Sequence, residues 1–116
     1  MKRAVGCDIE EIKRFENKTQ TFLDKIFTGN EQAYCLSKAK PSQHFAVRFC
    51  AKEAVVKALT ALGERVPPYR EIEILNDERG VPYVVLTDAA ADLSVQISLS
   101  HSRTTAMAVV AAELPD

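Results

Sequence analysis

Nothing in this chain supplies a large excess of one charge, a long apolar run or a cysteine framework. Lysine and arginine total 15 against 16 aspartates and glutamates, a net charge of −1. General affinity for nucleic acid needs a strong basic excess, so no nucleic-acid partner is expected. No apolar run approaches the roughly 20 residues of a membrane span, and no membrane partner is expected. The opening Met1-Lys-Arg-Ala-Val-Gly-Cys-Asp8 has no apolar core of the signal-peptide kind, so the expected location is cytoplasmic. The cysteines, Cys7, Cys35 and Cys50, are odd in number and lack metal-ligand spacing. In a reducing compartment they read as buried small apolar residues. There is no repeat, linker or low-complexity tract, and 116 residues leave no room for a second core. Residues 1–116 are therefore expected to form one domain.

What is present centres on Phe45-Ala-Val-Arg-Phe-Cys-Ala-Lys-Glu-Ala-Val-Val-Lys-Ala-Leu59, a stretch without glycine or proline. Ala51, Ala54, Val55, Ala58 and Leu59 recur at the spacing of one buried helix face. The helix is expected over about 42–62, with Ser42 as N-cap and Gly63 as stop. Glu53 and Lys57 stand four apart on a row begun by Phe49. Alone, they would be a surface ion pair of roughly 0.3–0.5 kcal/mol. His44 reads as a first-turn surface residue.

Before this helix, residues 2–9 read as a short strand ending near Asp8. A carboxylate flanked by Cys7 and Ile9 is unusual, because burying it unpaired is costly; its plainer role would be to cap the next helix. That helix is expected from Glu10 to about Asn17, with Ile9, Ile12 and Phe15 inward and Lys13 and Arg14 in solvent. A second short helix covers 21–27. Thr28-Gly-Asn-Glu31 is a capping-box pattern opening a third, through about Ser37.

After the long helix, Pro67 and Pro68 forbid continuation. Glu71–Leu75 and Val81–Leu86 alternate around the turn Asn76–Gly80, a hairpin with Pro82 at an edge. Thr87–Leu93 reads as a short helix or loop, Val95–Ser100 as a strand, and Thr104–Ala112 as a closing strand. Helices first and antiparallel strands later give an α+β class, with the long central helix packed on an antiparallel sheet. The closing strand is apolar on both faces, and such a strand must be covered on both. The helix covers one. Either a neighbouring subunit or the short N-terminal helices must cover the other.

Asp8, the pair Glu53 and Lys57, and Ser98-Leu-Ser-His101 are then the polar features set in apolar sequence. Two carboxylates with a lysine suit magnesium and phosphate chemistry. Together with Gly6-Cys-Asp-Ile9, Ile72-Glu-Ile and Gly80-Val-Pro, in order and spanning residues 6 to about 111, the chain resembles the phosphopantetheinyl transferases of the short holo-acyl-carrier-protein synthase type. The resemblance implies transfer of phosphopantetheine from coenzyme A to a serine of an acyl carrier protein, with release of adenosine bisphosphate. It implies magnesium held by Asp8 and Glu53, Lys57 on the phosphate and leaving group, and Arg48 and His101 on coenzyme A. Glu53, directly or through a water, is the implied candidate base. A homotrimer with shared sites is implied too, as is carrier docking on the first helix through Lys13 and Arg14, with Lys18 and Lys25 extending the patch. The chain departs from the family at Thr60-Ala-Leu-Gly63, where a Gly-Thr-Gly-like segment is common, at Val47 in place of glycine, and at Cys7 and Cys50. Two other readings stand beside this one. One is an inactive packing module within a larger synthase. The other is a thiol enzyme pairing Cys7 or Cys50 with His101.

Overall fold

The computed structural model describes residues 1–116. Its centre is α3, Pro41–Leu62. Pro41 stands at the first helical position, where its missing N–H is no loss. Lys40 holds the cap position and makes no side-chain cap bond, so Ser42 lies inside the helix and is not its N-cap. Gly63 stops the helix in the left-handed conformation, φ 75°, which a side chain would resist. The five apolar residues expected on one face are buried, but so are Phe45, Ala46, Val47, Arg48, Cys50 and Lys52. Helix α3 is therefore covered on more than one side.

One cover is a three-stranded antiparallel sheet, in the order β1 (Lys2–Glu11), β5 (Thr105–Leu114), β4 (Ser94–His101). Gly6 sets how closely β1 approaches α3. A Cβ there would lie 2.0 Å from the Ala54 carbonyl oxygen. Alanines at 54 and 58 on the helix and no side chain on the strand let the two backbones meet. The other cover is α2 (Gly29–Leu36) with the hairpin β2 (Ile72–Asn76) and β3 (Pro82–Leu86). The hairpin forms its own two-stranded sheet, which accommodates Pro82 at an edge. Asp77 Oδ1 accepts from the Arg79 and Val81 amides, and Gly80 takes φ 83° to close the turn. Residues 87–93 form turns and no helix.

The expected helix from Glu10 does not form. Strand β1 runs on to Glu11, and a single 3-10 turn, Ile12–Phe15, follows it. Ten ladder pairs with β5 outweigh the weak helical tendency of so short a segment. Two consequences follow. Ile9 points to the open face and is 69% exposed, not inward. Asp8 is a strand residue and caps nothing. Thr19 caps α1 (Gln20–Ile26), and Thr28 with Glu31 closes the capping box of α2.

Register fixes the two faces of the sheet. Gly6, Asp8 and Glu10 oppose Val110, Ala108 and Ala106 on the helix side. Val5, Cys7 and Ile9 oppose Ala111, Val109 and Met107 on the other, with Ser98 and Ser100 of β4 in the same rows. Val5, Ile9, Met107 and Val109 are all exposed there, so the short N-terminal helices do not cover this face. Cys35 and Cys50 are buried as expected, but Cys7 is exposed on the open face. His44 is half-buried, its ring edge-on to Tyr34, and burial first, then Arg48 and Lys38, holds its imidazole below the ordinary range.

Candidate active site

Strand β1 and helix α3 bring three of the expected site residues together. Two residues beyond the close contact at Gly6, Asp8 meets Lys57: Nζ stands 3.4 Å from Asp8 Oδ1 and donates to the Cys7 carbonyl at 2.8 Å. The other Asp8 oxygen, Oδ2, is buried without a hydrogen-bond partner. One helical turn before Lys57, Glu53 lies half-buried and accepts from the Tyr69 hydroxyl. Phe49, at the head of that row, packs between Phe15 and Tyr69, with ring centroids 5.4 and 5.6 Å away.

Two participants escaped the sequence reading. The first is Glu10. Because the strand continues, alternation puts its carboxyl on the same face as that of Asp8. Burial first, and then Asp8 alongside, push the Glu10 carboxyl up to about 7; Arg14 opposes this and Glu53 adds to it. The second is Tyr69, whose phenol is pushed up to about 12, first by its hydrogen bond to Glu53 and then by burial. The shared influence of Asp8, Glu10 and Glu53 on these groups marks one concentrated patch of negative charge, met by Lys57 at Asp8 and by Arg14 at Glu10.

This donor set fits a hard divalent cation. An unpartnered, buried carboxylate oxygen beside two further carboxylates is stabilised by a positive charge. No three His, Cys, Asp or Glu side chains cluster closely enough to hold a metal by themselves. Magnesium takes one or two protein carboxylates and fills its remaining positions with waters and phosphate oxygens.

Arg48 and His101 are not brought to this group within the chain. Arg48 is buried, stacked 4.0 Å over the Tyr34 ring and bonded to Asn76 Oδ1 at 2.5 Å, with its Nε unpartnered. It lines a cavity of about 230 Å³ with Asn30, Leu75, Asn76 and Tyr83. His101 is exposed at the end of β4, separated from β1 by the whole of β5. Lys13 and Arg14 are both exposed, but Arg14 is held to Glu10 at 2.5 Å. Lys13 lines an open cleft of about 330 Å³ with Glu11, Glu16, Arg103 and Thr104.

The thiol-enzyme reading loses its geometry. Burial pushes the Cys50 thiol up to about 12, and its Sγ faces the Ala106 carbonyl. Cys7 lies on the open face of the sheet, whereas His101 pairs in register with Ala106 on the helix face.

What remains is a carboxylate and lysine site between a strand and a long helix, and comparison with known proteins shows which family nearly the whole chain matches. The family model of the 4'-phosphopantetheinyl transferase superfamily matches residues 4–111. The chain belongs to that superfamily. It is 44% identical over 109 residues to the holo-[acyl-carrier-protein] synthase of Protochlamydia amoebophila, covering 87% of this chain and 89% of that protein. Against the holo-[acyl-carrier-protein] synthase of Chlamydia trachomatis serovar D it is 45% identical over 117 residues, covering 94% and 98%. Its fold is similar to the crystal structure of a holo-(acyl-carrier-protein) synthase from Bacillus anthracis in complex with CoA (3',5'-ADP). There the TM-score is 0.77 at 31% identity, over 94% of each chain. Within the superfamily, the departures of this chain are absorbed locally. Val47 packs in the core, and Thr60-Ala-Leu62 simply extends α3 to its glycine cap.

Proposed function

We propose that residues 1–116 act as one catalytic domain, a holo-acyl-carrier-protein synthase whose chemistry is carried by Asp8, Glu53 and Lys57. The enzyme moves phosphopantetheine from coenzyme A to a serine of an apo acyl carrier protein and releases adenosine bisphosphate. The observation that carries the site assignment is the meeting of Lys57 with Asp8, whose second oxygen is buried and unpartnered, one helical turn from Glu53.

The serine oxygen forms a bond to the phosphorus that carries pantetheine, and the bond from that phosphorus to the bridging oxygen of the pyrophosphate breaks. The electron pair leaves with adenosine bisphosphate. Lys57, exposed at the edge of the site, places its ammonium against the phosphate that gains charge. The serine proton passes to Glu53 or to a water that it orients. Asp8 and Glu53 would hold magnesium, which would supply counter-charge to the pyrophosphate. Helix α3 and β1 contribute positioning: close backbone contact at Gly6 holds Asp8 against Lys57. Arg48, from the cavity it lines, and His101, from the exposed end of β4, serve coenzyme A in a site completed by a neighbouring subunit. Coenzyme A consumption that requires both an apo carrier and magnesium, followed by chromatography, tests this reading. Consumption without any carrier would contradict it.

The chain works as a homotrimer. Its support is the uncovered sheet face, where Val5 and Ile9 are 75% and 69% exposed beside Met107 and Val109. Sedimentation at micromolar concentration should give three times the chain mass, and Val109→Asp should shift it toward one. A monomeric wild type would contradict both the trimer and the shared site. Three free cysteines, one of them exposed, fit a reducing compartment and hence the cytoplasm. No helix is long and apolar enough to cross a membrane.

The carrier docks beside the 3-10 turn, on Lys13 and Arg14 with Lys18 and Lys25 nearby. Carrier proteins of this kind are acidic around the modified serine, so these charges act mainly on encounter. Lys13→Glu with Arg14→Glu should raise KM for the carrier several-fold at low salt, less at high salt, and leave coenzyme A affinity unchanged. Because Arg14 already pairs with Glu10, Lys13→Glu alone should account for the larger part. Unchanged carrier KM at low ionic strength would place docking elsewhere.

A further inference from the structure

We propose that Tyr69 is a positioning residue for Glu53: its hydroxyl fixes one carboxylate oxygen so that the other is presented to the cation. The inference rests on the reading of Asp8 and Glu53 as magnesium ligands. Glu53 is a flexible side chain on α3, and the Tyr69 hydroxyl donates to its Oε1. No other side chain hydrogen-bonds to it. Left alone, the carboxylate would sample several rotamers, only some of which face Asp8.

Tyr69 is itself pinned at both ends. Its backbone carbonyl accepts from Lys52 Nζ at 2.8 Å, and Lys52 is the residue immediately before Glu53. The same ammonium is bonded to Glu31 and to the Ile72 carbonyl and is wholly buried. The Tyr69 ring packs against Phe49, one turn before Glu53 on α3. With backbone and ring both held to the helix, only the hydroxyl remains to act, and it is aimed at Glu53. A phenol suits this task because it orients the carboxylate without neutralising it, as a second lysine would. Ligand carboxylates held by an outer hydrogen bond bind metal more tightly, typically by 10- to 100-fold.

Tyr69→Phe removes one oxygen and keeps the ring on Phe49. The test is a titration of Mn²⁺ into the enzyme with coenzyme A at fixed concentration, reading free Mn²⁺ by electron paramagnetic resonance, for wild type, Glu53→Gln and Tyr69→Phe. Tyr69→Phe is expected to weaken Mn²⁺ binding roughly tenfold. The magnesium concentration for half-maximal turnover should rise by a similar factor, excess magnesium should restore most of kcat, and the melting temperature should not change. If Glu53→Gln loses Mn²⁺ while Tyr69→Phe binds it like wild type, the ligand reading stands and the role of Tyr69 is refuted. If Glu53→Gln binds Mn²⁺ like wild type, the ligand reading itself fails and this inference falls with it.

Discussion

Asp8→Ala and Glu53→Gln are each expected to lower turnover by roughly 10²–10³-fold, the scale of removing one group that stabilises developing charge, with no loss of folding stability. The two halves of that expectation have one cause. Asp8 is only 12% exposed, and one of its oxygens has no partner. A carboxylate so placed contributes little to the folded chain, because Lys57 at 3.4 Å compensates one oxygen only and the other has no partner. Removing it should leave the melting temperature unchanged or slightly raised. In turnover the same oxygen is expected to be needed, since pyrophosphate chemistry depends on counter-charge held in place before the transition state. A residue kept for packing would show the reverse, a fall in stability with activity following it. Glu53→Gln adds a second discrimination, because glutamine keeps the shape and can still accept from Tyr69 but brings no charge. Full activity of either variant in excess chelator would contradict the assignment.

The second large effect is on stability. Glu31→Ala or Lys52→Met alone should each destabilise the fold by about 3–5 kcal/mol, the usual result of stranding one member of a buried ion pair. Both side chains are wholly buried, and they meet at 2.9 Å. Lys52 also donates to the Tyr69 and Ile72 carbonyls, while Glu31 accepts from the Thr28 and Ile74 amides. One ion pair therefore ties α2, α3, the Tyr69 turn and the start of β2. Burial draws the Lys52 ammonium below its ordinary range, and Glu31 pulls it back. Removing Glu31 leaves that cation in an apolar core and two amides without acceptors. Glu31→Leu with Lys52→Met should recover much of the loss, because apolar replacement of a whole buried pair is often neutral. Denaturant titration at one fixed protein concentration measures all three variants, so that any self-association weighs on them alike. A single variant as stable as wild type would show that the pair is not sealed as described.

These residues also show where the sequence was legible. The capping box of Thr28 and Glu31 was readable as a local pattern, and it formed. That Glu31 also neutralises a lysine 21 residues away was not readable, because Lys52 sits in an ordinary helical lysine–glutamate setting. Only a helix covered on two sides buries such a lysine, and periodicity counts one face at a time. Asp8, Glu53 and Lys57 could be brought together through their motifs and order, and the structure gathers them. Glu10 was missed because a helix was expected to begin there. The ladder with β5 extends the strand instead, which turns Glu10 toward Asp8 and Ile9 to the outside. Tyr69 follows two prolines in a stretch with no periodicity, so nothing local signalled its contact with Glu53. Arg48 and His101 lie apart from the others within the chain, Arg48 buried against Tyr34 and His101 at the far edge of the sheet, which their motifs alone did not reveal.

Transfer of phosphopantetheine by this chain is tested most directly by mass spectrometry of the acceptor. Several apo acyl carrier proteins would each be incubated with the enzyme, coenzyme A and magnesium, and then weighed intact and after digestion. At least one should gain the mass of a single phosphopantetheine, localised to one serine, at a rate roughly 10²–10³-fold lower when Glu53→Gln replaces the wild type. Carriers of unchanged mass across the whole set, with a folded and assembled enzyme, would contradict the account.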